Sequence, residues 1–411
     1  MPDPLRFIVL HPGARLHYAV PALLAHAGML ERFYTDIHAP TRGALSWLGR
    51  VPPRLLPSAL TRLAGRRLPQ ELHGLTSSAP LATLRDWLSG SLRRRGLQIS
   101  APGAESALRA RIRRERFRGA NAIYTLSNAD LELVQEAKAR GLFVVCEQII
   151  NPHVGRILRA ERERFPGIEA QDPVEEIERG IARDEALWRL SDLVIGASRF
   201  VCDEVLAHGI PPERVAVVPY GIPPSWLSLV PDPRPGRILF VGSVGLRKGV
   251  HYLAAASRLL RERGVPHEVR VVGPYSTSVA SRPEFAGPTY IGQVPRALVQ
   301  EEFRAADLFV FPTLAEGFAL VHLEALACGV PVITTPHCGS AVRDGVDGFV
   351  VPIRDASAIA DRVQLLLRDR TFRDRMSAAA RTRASEFVWD RYAEHLLGAI
   401  RDSARRSARD P

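Results

Sequence analysis

A chain of 411 residues is too long for one ordinary hydrophobic core and points to two domains of similar size. Its 46% hydrophobic and 24% charged residues exclude a disordered or fibrous chain, and no apolar run approaches the ~20 residues that span a bilayer. The formal net charge of +11 is uneven: residues 41–120 hold 16 arginines against four acids, Glu71, Asp86, Glu105 and Glu115.

That basic segment interleaves its arginines with Leu45, Trp47, Leu48, Leu55, Leu56, Leu60, Leu63, Trp87, Leu88 and Leu92. Positive charge beside a Trp/Leu face suits an anionic membrane surface, and a solvated arginine-rich helical face is the alternative. No helix-turn-helix, zinc or RNA-binding signature accompanies it, so nucleic acid is not expected as a partner. The opening MPDPLRFIVL carries an acid and two prolines and does not read as a secretory signal. Cys146, Cys202, Cys328 and Cys338 form no CxxC pair, which suits small buried side chains in a reducing cytoplasm.

In chain order, Phe7–Leu10 reads as a buried strand, followed by the loop His11-Pro12-Gly13 and a helical pattern over 18–29. Residues 122–125 form a strand, Ser127 and Asn128 resemble an N-cap, and a helix over 129–140 stops at Gly141. A strand over 142–145 precedes an amphipathic stretch, 156–189, interrupted at Pro166-Gly167 and Pro173. Strands at Leu193–Gly196 and 215–218 flank a helix over Arg199–Ala207. Residues 219–236 contain six prolines, too many for regular structure, and read as a linker. The alternation then restarts: strand Arg237–Val241, helix 250–263, and strands Glu268–Val272, 289–291, Leu308–Phe311 and 330–334. Short strands alternating with helices imply parallel sheets covered on both faces. The expected fold class is α/β: two Rossmann-like domains whose parallel sheets face a deep interdomain cleft.

Two segments carry the chemistry. Glu316 lies in the loop after one strand, and Glu324 lies one turn into the helix that begins near Leu320 and stops at Gly329. The amides of that first turn can bind an anion, and the two carboxylates can accept hydrogen bonds from vicinal hydroxyls. The alternative is two ordinary acids near a helix N-terminus, where they are electrostatically favoured. The second segment, Gly242-Ser243-Val244-Gly245-Leu246-Arg247-Lys248-Gly249, also joins a strand to a helix. Its glycines permit close backbone approach, and its cations suit a diphosphate. It is neither a P-loop nor a dinucleotide fingerprint. Only Lys138 and Lys248 occur beside 53 arginines, so a lysine in this loop marks a position that suits a compact ammonium.

The stretch 316–331 (EGFALVHLEALACGVP) resembles the glutamate-x7-glutamate motif of retaining GT-B glycosyltransferases of family 4. Residues 242–249 resemble that family's donor loop, Val218-Pro219-Tyr220-Gly221 its approach to the interdomain linker, and Gly339-Ser340 with 344–352 (DGVDGFVVP) the segment after its donor helix. The resemblance is good from Asp192 onward and loose before it. It implies a domain of residues 1–220 for the acceptor, a linker of 221–236, a donor domain of 237–388, and a helix over about 389–402 that returns to complete the first domain.

It further implies that Glu316 contacts the donor sugar and that Lys248, with Arg247, neutralises the departing diphosphate. Phe318, Ala319 and Leu320 would offer backbone amides, Glu324 would bind ribose hydroxyls, and Val294 would meet the base. Gly242 and Ser243 would line the donor loop, Gly13 would serve the acceptor or phosphate side, and His153 would match the histidine near the reacting sugar. No cofactor and no divalent metal is expected. Three positions depart from the family: Ser243 replaces its usual arginine, Ala319 its glycine, and Gly13 stands alone where a glycine pair is common. The implied function is a metal-independent, retaining transfer of a sugar from a UDP-, GDP- or ADP-linked donor to a hydroxyl of a glycan or glycolipid. Its place would be the cytoplasm, at or near the inner membrane face. A sugar-nucleotide epimerase or hydrolase, or a non-catalytic sugar-nucleotide or glycan binder, is the alternative.

Overall fold

The computed structural model describes residues 4–39, 63, 65–93, 103–127 and 129–408. Leu45, Trp47, Leu48, Leu55, Leu56 and Leu60 of the basic segment, and Asn128, lie outside the described residues.

Thirteen strands are described: β1 Phe7–Leu10, β2 Leu30–Thr35, β3 Thr76–Ser78, β4 Ala122–Leu126, β5 Phe143–Gln148, β6 Leu193–Gly196, β7 Val215–Val217, β8 Arg237–Val241, β9 Glu268–Val272, β10 Thr289–Gly292, β11 Leu308–Phe311, β12 Val332–Thr334 and β13 Gly348–Val350. They form two sheets, ordered β3-β2-β1-β4-β5-β6-β7 and β10-β9-β8-β11-β12-β13. Pairs such as β1 with β4 and β8 with β11 are parallel, and β1, β4, β5 and β11 are buried along their whole length. That explains why they read as short continuous apolar runs instead of alternating ones. In each sheet the strand order reverses once, between β1 and β4 and between β8 and β11. Ligands of open α/β sheets bind at such points, beyond the carboxyl ends of the strands.

The described residues form two compact units, one of residues 1–147, 186–194 and 399–411, the other of 148–185 and 195–398. In the first, α1 (Ala19–His26), α2 (Pro80–Arg93) and α3 (Ala104–Arg114) precede β4, and α4 (Leu131–Ala139) follows it. Asp130, rather than Ser127, caps α4: its carboxylate accepts from the Leu133 amide at 2.8 Å, the usual N-cap geometry. The amphipathic stretch is two helices, α5 (Val154–Arg164) and α6 (Val174–Leu190), separated at Pro166-Gly167 and Pro173 as their chemistry requires. After β6 comes α7 (Arg199–Ala207).

The proline-rich segment is not wholly irregular. Pro224–Leu227 forms a short helix, α8, because proline is tolerated at the first helical position, and its Trp226 is buried against Phe303. The second unit continues with α9 (Val250–Glu262), α10 (Thr277–Ala280), α11 (Arg296–Ala305), α12 (Leu320–Ala327), α13 (Ala356–Arg368) and α14 (Arg370–Ser385). The final helix, α15 (Trp389–Ser407), begins in the second unit and ends in the first, where Ser403 Oγ donates to the Asp192 carbonyl at 3.1 Å. No helix among the described residues is long and apolar enough to cross a membrane.

Two buried carboxylates hold the second unit together. Glu161 of α5 accepts from Tyr252 Oη at 2.6 Å and Arg354 Nε at 2.6 Å, and its Oε1 lies 3.0 Å from His251 Nε2. Burial alone would raise its pKa, but these three hydrogen bonds outweigh it and hold the carboxyl at about 2. Asp307 is fully buried and takes a two-pronged contact from Arg370 at 2.6 and 2.9 Å, with Arg373 Nε at 2.9 Å and the Gly236 amide at 2.9 Å. Asp307→Ala removes the carboxylate shared by two guanidinium groups and an amide, leaving Arg373 only its bonds to the 307 carbonyl and Asp374. It is expected to cost about 3–5 kcal/mol, read as a lowered urea midpoint.

Candidate donor site at the second sheet

The loops after β8 and β11 meet at the reversal point of the second sheet. The Arg247 carbonyl accepts from the Leu314 amide at 2.8 Å and from Thr313 Oγ1 at 3.0 Å, which fixes one loop on the other. Gly249 takes a left-handed φ of +70°, and a Cβ there would lie 1.9 Å from the Pro312 carbonyl oxygen. Only glycine permits that approach.

This docking brings the expected charges together. Lys248 Nζ and Arg247 Nη1 both donate to Glu316 Oε2, the arginine at 3.0 Å. Arg247 Nη1 also donates to the Ala315 carbonyl at 3.0 Å. Lys248 is largely buried and lies 4.9 Å from the Phe311 ring centroid. Burial lowers its pKa, Glu316 works against that, and Arg247 adds to it. The ammonium is therefore costly to keep charged without an anion beside it.

The Glu316 loop is held by backbone contacts. The Glu316 amide donates to the His337 carbonyl, and the Gly339 amide to the Glu316 carbonyl, at 2.9 and 3.0 Å. Ser198 Oγ donates to the Gly317 carbonyl at 2.6 Å. A Cβ on Gly317 would stand 1.8 Å from the Ile149 carbonyl oxygen, and one on Gly339 1.9 Å from that of Gly317. Of the three amides expected to face a donor, that of Ala319 is used within the fold, donating to the Gly339 carbonyl at 2.9 Å. The helix α12 starts at Leu320 with Ala319 as its N-cap.

Glu324 is one turn further on. Its side chain is 14% exposed and Arg296 Nη2 lies 3.3 Å from Oε1. Burial pushes its pKa from 4.5 to about 7, with Arg296 opposing. A carboxylate so poorly solvated gains from hydroxyl donors. Arg296 was not singled out in the sequence, although it stands two residues after Val294, a half-buried residue in the loop following β10. His322 on the same helix is fully buried, with Nδ1 2.8 Å from Ser340 Oγ; burial, then Lys248, bring its pKa to about 3, so it is neutral. Glu169, between α5 and α6, accepts from the Leu246 amide at 2.8 Å, another contact without a local signal in the sequence. Ser243 is exposed, and Gly242 packs its amide against the Val272 carbonyl at 2.9 Å.

Two further expected residues bond to other partners. His153 Nδ1 pairs with Glu204 Oε1 at 3.3 Å, although its loop begins at Ile149-Ile150, against Gly317. Gly13 belongs to the first unit, where its amide donates to Asp36 Oδ1 at 2.8 Å and Asp36 also receives Arg66 at 2.6 Å.

Residues 228–383 match the family model described as glycosyl transferases group 1. The chain carries a glycosyl transferases group 1 domain. Lys248, Glu316 and Glu324 all lie within it. The chain is 35% identical over 188 residues to the D-inositol 3-phosphate glycosyltransferase of Geodermatophilus obscurus, a match covering 42% of this chain and 41% of that protein. With its counterpart in Acidothermus cellulolyticus it is 31% identical over 252 residues, 52% of this chain and 55% of that protein. The matches thus span about two-fifths to a half of these relatives' length. Among solved structures it is similar to sucrose-phosphate synthase from Thermosynechococcus elongatus, with a TM-score of 0.64 at 18% identity over 97% of this chain and 98% of the other. It is also similar to Anabaena Alr3699/HepE in complex with UDP and glucose, with a TM-score of 0.59 at 14% identity over 96% and 99%. The chain therefore has the α/β fold of GT-B glycosyltransferases, as expected.

Two outcomes follow for the group 1 domain. Gly317→Ala forces backbone apart at Ile149 and is expected to lower the thermal midpoint by several degrees, read by circular dichroism. Glu324→Gln tests burial. The folded Glu324 pKa lies above its unfolded value, so its carboxyl costs nothing below pH 4.5 and destabilises progressively as pH rises through about 7. The variant should match wild type near pH 4.5 and exceed it by up to about 3 kcal/mol near pH 8, read from urea midpoints at both pH values.

Proposed function

We propose that this protein is a retaining glycosyltransferase that moves a sugar from a nucleotide diphosphate donor to an acceptor hydroxyl. The observation that carries the reading is the convergence of Lys248 and Arg247 on one oxygen of Glu316, at the reversal point of a parallel sheet within the group 1 domain. A diphosphate would take over Glu316's place as partner of the two cations. Glu316 would then be free to accept from hydroxyls of the donor sugar.

Each remaining part has a role in that reading. Lys248 stabilises charge that develops on the leaving diphosphate, where a preorganised cation acts most strongly. The amides at the start of α12 face the same charge. Glu324, whose charge burial makes costly, accepts from ribose hydroxyls, and Arg296 offsets part of that cost. The leaving phosphate itself takes the acceptor proton, and His153 orients the reacting sugar. UDP, bound in the Anabaena structure, makes uridine diphosphate sugars the first donors to try. The acceptor is a glycan or glycolipid hydroxyl, and the basic segment 41–120 favours an anionic one at the inner membrane face.

Lys248→Ala and Glu324→Ala should each lower turnover at least ~10²-fold, measured as nucleotide release from a panel of sugar nucleotides with acceptors. Wild-type turnover in either variant removes the site assignment. Nucleotide binding without release would favour a non-catalytic binder, and a rearranged free donor an epimerase.

A further inference from the structure

Among the described residues, His153, Glu204 and His208 are a group of three metal-ligating side chains whose donor atoms lie within 4.8 Å of one another. We propose that they form a binding site for a borderline divalent transition ion, of the zinc class, beside the sugar-transfer machinery. Glu204 and His208 are four residues apart at the end of α7, so both project from one helix face. His153 reaches them from the loop after β5, held by Asn151, whose Oδ1 accepts from the His153 amide at 2.9 Å.

The spacing suits coordination. His153 Nδ1 and His208 Nδ1 stand 3.3 and 3.5 Å from Glu204 Oε1. Tetrahedral zinc with bonds of about 2.0–2.1 Å puts neighbouring ligand atoms about 3.3–3.4 Å apart. Both histidine-to-glutamate separations are therefore close to an edge of such a tetrahedron, and the fourth position is left for solvent. The two rings meet edge to face, 5.5 Å between centroids.

Outer partners are in place as well. Asn151 Nδ2 donates to Glu204 Oε2 at 3.2 Å, which steadies the carboxylate oxygen that the ion would not use. Glu185 Oε1 lies 3.4 Å from His208 Nε2, positioned to take the ring's remaining proton, as outer carboxylates do for ligating histidines. His208 Nδ1 also lies 2.9 Å from the Glu204 carbonyl oxygen, a contact the ring gives up when it coordinates. His153 Nε2 is buried with no hydrogen-bond partner among the described residues, so only the Glu204 contact competes with an ion for this ring. Two imidazoles and one carboxylate select zinc, cobalt, nickel or copper over magnesium and calcium. All three side chains are about a quarter exposed, so an ion can reach them.

The consequence for catalysis rests on the proposed transferase reading: an ion that holds His153 withdraws it from the reacting sugar, so zinc is an inhibitor. Binding itself does not depend on that reading. The test is titration of the full-length protein with Co²⁺, followed by visible d–d absorption, and then displacement by Zn²⁺. One equivalent should develop tetrahedral-type bands that zinc abolishes and magnesium does not. His208→Asn and Glu204→Gln should abolish those bands, and Glu185→Gln should weaken binding ~10–100-fold. Circular dichroism of each variant verifies folding. Absence of the bands in wild type, or their retention in both ligand variants, overturns the site. In the transfer assay, His208→Asn should remain active and lose zinc inhibition. If the bands behave as expected and no transfer is found with any donor, the metal site stands and the transferase reading fails.

Discussion

The site depends on backbone touching backbone at the carboxyl end of the second sheet. Gly249 lies against the Pro312 carbonyl, Gly317 against that of Ile149, Gly339 against that of Gly317, and Gly273 against that of Gly242. A side chain at any of these positions would hold two loops apart by more than an ångström. Without one, the loops after β8 and β11 close onto each other, and Lys248, Arg247 and Glu316 share one oxygen. The electrostatics of the site are thus a consequence of where glycine was placed.

The same closeness creates a charge problem. Lys248 and Glu324 are both drawn away from water, one losing affinity for its proton and the other gaining it. Their pairing with Glu316 and Arg296 offsets part of that cost. Buried ionised groups with incomplete partners are held at the expense of stability, and such groups cluster where a ligand completes them. Glu161 is the contrast: three donors satisfy it fully, its pKa falls, and it acts as a structural tie between α5 and the helix α9. Burial opposes the charge of both carboxylates, but Glu161 has three donors to offset it and Glu324 has Arg296 alone, so the two titrate in opposite directions.

Much of the strand and helix order was legible in the sequence. Leu193–Gly196, Arg199–Ala207, Arg237–Val241, Glu268–Val272 and Leu308–Phe311 occur with the expected bounds, because buried parallel strands and capped helices leave strong local patterns. The short helix at Pro224–Leu227 was not, since proline density signals loops and helix starts alike. The cap at Asp130 was misplaced because several capping residues stand side by side there. Strands β2 and β3 carried no clear pattern: both are partly polar, and β3 is a three-residue strand at the edge of its sheet.

The sequence by itself determined the glycines, the cations and the two glutamates, and through their spacing the kind of ligand that such loops accept. Local chemistry is enough for that, because each motif spans a single strand-to-helix turn. Only the tertiary structure decided that Arg296 would face Glu324, that Glu169 would reach the Leu246 amide, and that His153 would turn towards Glu204 and His208. Those partners lie between 28 and 77 positions apart in the chain. No periodicity records such meetings; they arise from which elements the sheet order sets side by side.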